Sequence, residues 1–184
     1  MSILDAYEIY DPGVSGLWKN LSRGEAARAV RRLLADRPRR LQELRRLAER
    51  AEIELPEPQD ATDGQLQGLS QWFFANLERD GRSSARLAPA WYSVVSDMGL
   101  YVGEVIIARG SGLEWRMFTG DRRSDSYQEL VVMGFPVANK NYYVNPGFVL
   151  ADLASAHLSG AFVSEDPIVD MVRHAVATSH SEDD

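Results

Sequence analysis

Three oxygen-bearing side chains share one stripe of the most apolar segment, DMGLYVGEVIIARGSGLEW, Asp97 to Trp115. At about 100° per residue on a helix, Glu104 falls about 20° from Asp97 and Tyr101 about 40° to the other side. Trp91, Val94, Val95, Met98, Val102, Val105 and Ile106 fill a wide opposite sector, while Ser96, Gly99 and Gly103 form a ridge of small residues. Two carboxylates two turns apart, with backbone positions on the order of 10 Å apart, suit a ligand amine, a partner's Arg or a divalent ion helped by other residues. They are too far apart for a dyad sharing one proton unless long side chains converge. Asp97, Tyr101 and Glu104, with Arg116 from the next element, are the candidate ligand-binding set. The preferred reading is structural: a seam toward solvent, or carboxylates bonded to Arg116 or a loop, because an unpaired buried charge is too costly. The Gly99–Gly103 spacing points to close packing of another helix.

Basic chemistry is concentrated elsewhere. Ten Arg lie between Arg23 and Arg50 against Glu25, Asp36, Glu43 and Glu49, a balance of +6 in a chain of net −7. Arg31, Arg32, Arg39, Arg40, Arg45 and Arg46 are the candidate partner-binding set, for phosphates, an acidic protein or this chain's own acidic part. Helix-spaced ion pairs such as Asp36–Arg40 and Glu25–Arg28 argue for a solvated face instead. Nucleic-acid binding ranks lowest, because no stacking aromatics or turn signature accompany the Arg and the sequence pI is near 5.0.

Catalytic signatures are missing. With no Cys, thiolate nucleophiles, disulfides and cysteine metal sites are excluded. His157, His174 and His180 have no ligand spacing, GDRRSD lacks the setting of a phosphate loop, and GLSQW fails the Gly-x-Ser-x-Gly elbow at its last position. NKNYYVNP beside a helix start could hold an anion, though a tight turn plus a cap is the commoner explanation. No catalytic residue, metal or cofactor is expected.

The elements that must position these residues follow from punctuation. Residues up to Leu21 read as an extended arm with a short turn. Ser22 and Glu25 form a capping box; Asp36 and Pro38 then divide 22–52 into an Arg-rich helical hairpin. Glu54 to Asp60 is a proline-broken linker, Thr62 and Gln65 cap a further helix, and RDGRSSAR is a polar loop. Pro89 opens the central helix. LEWRMF and YQELVVMGF alternate as a hairpin over 113–135, and VANKNYY is a loop or short edge strand. Asn145–Pro146 starts a helix ending near Gly160, and Asp166–Pro167 repeats the device for a last helix. Residues 179–184 are expected to be a disordered tail. The order predicts one domain of α+β type, with its core over 88–178 and a small antiparallel sheet packed by helices.

PAWYSVVSDMGLYVGEVIIARGSGLEWRMFTG, YQELVVMGF and NYYVNPGFVLADLA together resemble a group of small uncharacterised actinobacterial proteins. Their pattern is a helix ending in Gly-Glu, a Trp strand and an Asn-Pro helix start, over roughly Ala88 to Ala154. The resemblance implies one domain of α+β type and carries no established activity to transfer. At 45% hydrophobic and 26% charged residues the chain has the composition of a globular domain. No leader pattern and no membrane span are evident, so the expected setting is cytoplasmic. The expected function is a non-enzymatic binding or protein-interaction module, of adaptor or immunity type. The alternatives are a small-ligand receptor or enzyme using the Asp97 stripe and, third, nucleic-acid binding.

Overall fold

A computed structural model describes residues 3–81 and 83–181, with the backbone alone at 83–85. Among these residues there are five helices: α1 (Arg23–Arg50), α2 (Asp63–Asn76), α3 (Pro89–Arg109), α4 (Pro146–Ser159) and α5 (Pro167–Ser179). Two antiparallel pairs accompany them, β1 (Arg79–Asp80) with β2 (Ser83–Leu87) and β3 (Glu114–Met117) with β4 (Leu130–Met133). The protein is α+β.

Both capping boxes form with both of their hydrogen bonds, at Ser22–Glu25 and Thr62–Gln65. Asn145 caps α4 by accepting from the Phe148 N–H at 3.1 Å, and Gly160 ends that helix in the left-handed region at φ 78°. Asp166 behaves differently: its side chain makes no cap bond, and Oδ1 is buried without a partner. Pro167 at the first helical position carries that start alone.

The expected helical hairpin over 22–52 is instead one helix of 28 residues, with Pro38 inside it. An interior proline costs about 3 kcal/mol through a lost hydrogen bond and a clash. Pro38 faces solvent, where water can satisfy the carbonyl one turn back. Arg37 and Arg40, on either side of it, are both tied to α3 (below), and buried residues from Ala26 to Ala48 hold one face of both halves. Continuous packing outweighs the local breaker. A second expectation also fails. RDGRSSAR contributes both strands of the β1–β2 pair, with Arg79 opposite Leu87. Polar side chains hid the strand, since Leu87 alone of the described strand residues joins the core.

Helix α3 is the central element, packed by α1, α4 and α5 and buried on nearly every side. The β3–β4 hairpin lies where expected, with Trp115 opposite Val132 and Met117 opposite Leu130. Val144 adds one bridge to Val132, all that VANKNYY and its neighbour contribute to the sheet. The arm packs back onto the body through Leu4 and Tyr7. Of the expected tail, Ser179 is buried at the end of α5, and 182–184 lie outside the described residues.

Candidate functional site

The carboxylate stripe of α3 faces α1. Asp97 is fully buried, as is Arg40. The Arg40 guanidinium makes a two-pronged contact, Nε to Oδ1 at 3.0 Å and Nη2 to Oδ2 at 2.6 Å. Tyr7 donates its hydroxyl to the same Oδ2. Nη2 also donates to the Glu8 carbonyl at 2.8 Å, and the guanidinium sits between the Tyr7 and Tyr10 rings, 5.6 and 5.3 Å from their centroids. Burial pushes the Asp97 carboxyl up, against the downward pull of Arg40 and Tyr7. Burial and the neighbouring Asp97 push the Tyr7 phenol up.

Glu104 is served twice on one oxygen: Arg37 Nη1 and Trp115 Nε1 each donate to Oε1 at 2.6 Å. Tyr101 donates to the Pro56 carbonyl at 3.0 Å, and burial raises its phenol. Arg116 is not brought to the stripe. It stands exposed on β3 and pairs with Glu114. The four candidates therefore do not converge. Arg37 and Arg40 occupy the stripe from the facing helix.

The Arg set is largely answered from within the chain. Arg32 lies 3.8 Å from Asp36, Arg39 pairs with Glu8, Arg45 with Glu57 at 2.8 Å, and Arg46 with Glu43 at 3.5 Å. Arg40 is buried on Asp97. Arg31 is exposed.

An open cleft lies on another side of α3. It measures about 330 Å³. Ser96 and Gly99 of the small ridge line it, and Gly99 lets α4 approach closely: a Cβ there would sit 2.6 Å from the Gly147 Cα. Gly103 likewise admits the Trp115 indole, whose ring a Cβ would strike. The ridge thus serves packing, against a helix start and a sheet residue. Trp18, Leu33, Trp115 and Leu130 line the cleft, together with Tyr92 and Phe148, which are 51% and 45% exposed.

The ionisable carboxyl of the cleft is Glu129. Its position is set by a chain of bonds starting at a helix cap. Asn145 Oδ1 accepts the Phe148 N–H, so Nδ2 turns the other way and donates to Glu129 Oε2 at 2.7 Å and Ser126 Oγ at 2.9 Å. Glu129 Oε1 has no hydrogen-bond partner among the described residues, and no Arg, Lys or His lines the cleft. Burial raises the Glu129 carboxyl; Asn145 lowers it and Asp125 raises it further. Sequence reading found Asn145 as a cap but not Glu129, which sits in a strand pattern with no spacing signal.

Among the described residues no group of three His, Asp or Glu could hold a metal ion, and no helix is long and apolar enough to cross a membrane. Comparisons with family models, curated proteins and solved structures found no match. The cleft can bury an apolar body beside a single lining carboxylate.

Proposed function

We propose that this protein is a non-enzymatic binding protein that takes a small ligand in the cleft between α3, α4 and the β3–β4 hairpin. The observation that carries the reading is one cleft lined by Trp18, Tyr92, Trp115 and Phe148 together with Glu129, a carboxylate with one oxygen unpartnered among the described residues. Concave, largely apolar walls with a few placed polar groups are the usual form of a small-molecule site, and about 330 Å³ lies at the small end of that class. The stripe of Asp97, Tyr101 and Glu104 lends less support to a ligand or enzyme role, since Arg40 holds Asp97, Arg37 and Trp115 both hold Glu104 Oε1, and Tyr101 is tied to Pro56.

A fragment screen read by tryptophan fluorescence and thermal shift tests the proposal, because two of the four Trp line the cleft. Saturable binding that Ala151→Phe or Ser96→Leu removes, in a variant that still unfolds cooperatively, supports it. Binding that survives both fillings overturns it.

A protein-interaction module is the second reading. Leu17, next to Trp18 in sequence, is 61% exposed, and Tyr92 and Phe148 are exposed large hydrophobics on the cleft. A partner retained at low and moderate salt and lost in Phe148→Ser supports that reading; no retained partner counts against it. We place either activity in the cytoplasm, and recovery of the protein outside it in fractionated host cells overturns that placement.

A further inference from the structure

We infer that the cleft selects organic cations, small amines whose ammonium group meets Glu129 and whose apolar body lies among Trp18, Trp115 and Phe148. The inference deepens the proposed binding function and rests on it.

Charge accounting across the molecule points to Glu129. Asp97 has Arg40, Glu104 has Arg37, Glu43 has Arg46, and Asp63 has Arg109 at 2.6 Å and Arg173 at 2.8 Å; Asp166 at the α5 start has no Arg among the described residues, but it does not line the cleft. A chain with 18 Arg nonetheless brings none within ion-pair distance of Glu129 among the described residues. Lys19 is engaged by Asp125 at 2.7 Å. The local compensation is the Asn145 amide, a neutral donor that reaches Oε2, while Glu129 itself lines the cleft.

A half-buried carboxylate with no counter-charge favours a cation over a neutral or anionic guest, and aromatic faces add to that preference. Two indoles, a phenol and a phenyl ring supply such faces here. The α4 start contributes some positive character beside the carboxylate. Its first position is proline and its Phe148 N–H is already capped, so much of that capacity is used.

The test compares three matched probes on the intact protein: 2-phenylethylamine, 2-phenylethanol and 3-phenylpropionate. Binding is followed by tryptophan fluorescence and calorimetry near neutral pH. The expected result is at least tenfold tighter binding of the amine than of the alcohol, with the anion weakest. Glu129→Gln, close in shape, is expected to bring amine and alcohol within about twofold of each other. The order in the wild-type protein needs no variant, so a folding defect in Glu129→Gln leaves the test intact. Equal binding of amine and alcohol overturns the charge selection while the cleft remains a binding site. Failure of all three probes, with other fragments also silent, overturns the binding function and this inference together.

Discussion

Two faces of α3 treat their carboxylates in opposite ways. Toward α1, Asp97 and Glu104 meet guanidinium groups at 2.6 Å, and every oxygen of Asp97 is engaged. Toward α4 and the hairpin, Glu129 meets an amide and keeps one oxygen free among the described residues. The first face is closed by charge and buried. The second is open, aromatic and short of a cation. Density of charged residues in a segment thus says little about which charges the fold leaves without a counter-charge.

The largest expected effect breaks the closed face. Arg40→Met strands Asp97 and costs about 3–5 kcal/mol of stability, measured by urea denaturation. Replacing both partners, Arg40→Met with Asp97→Leu, recovers most of that loss, because the pair's worth is offset by desolvation of both charges. A single variant as harmless as the pair would mean that the two faces are not different in kind.

Next comes the base that both faces share. Gly99→Ala drives a methyl into the Gly147 backbone and Gly103→Ala drives one into the Trp115 indole. Each is expected to cost about 1–3 kcal/mol. Gly99→Ala should also weaken any cleft ligand, since α4 must move away. A smaller loss, about 1 kcal/mol, is expected for Trp115→Phe, which removes the indole donor from Glu104 and leaves Arg37 in place. Chemical denaturation of each variant checks these values, and the glycine losses should exceed the indole loss.

Much of the fold was legible from punctuation and period. The two capping boxes, the Asn145 cap, the hairpin with Trp115 inside it, and the segregation of Asp97, Tyr101 and Glu104 to one stripe all express local rules. Pro38 was misread because a local breaker was weighed without the two ion pairs that straddle it. The β1–β2 pair was missed because its alternation is polar. The stripe was found but its partner was not: Arg116 follows in sequence, whereas Arg37 and Arg40 arrive from a helix whose direction only packing fixes. Tyr7 and Glu129 were invisible for the same reason. Each owes its role to a contact across the fold, Tyr7 to Asp97 ninety positions on, and Glu129 to the direction in which a capped Asn145 must turn its amide.

The finest separation is in acid titration. Arg109, and then Arg173, hold the Asp63 carboxyl below its ordinary value. In the window between its folded and unfolded values the unfolded chain binds more protons, so Asp63 supports the fold above that window and its support is lost as pH falls through the folded value. For Glu129 the sign reverses. Burial holds its carboxyl above the ordinary value, so the folded chain binds more protons. Its ionisation then weakens the fold as pH rises from the ordinary carboxylate value through the raised folded one. Asp63→Asn should therefore flatten the acid-side loss of stability, while Glu129→Gln should remove a loss on the upper side and leave the variant equal or slightly more stable at neutral pH. Urea midpoints from pH 3 to pH 8 would resolve both. Parallel profiles for the two variants would mean that Glu129 has a counter-charge after all, and the contrast between the faces would go with it.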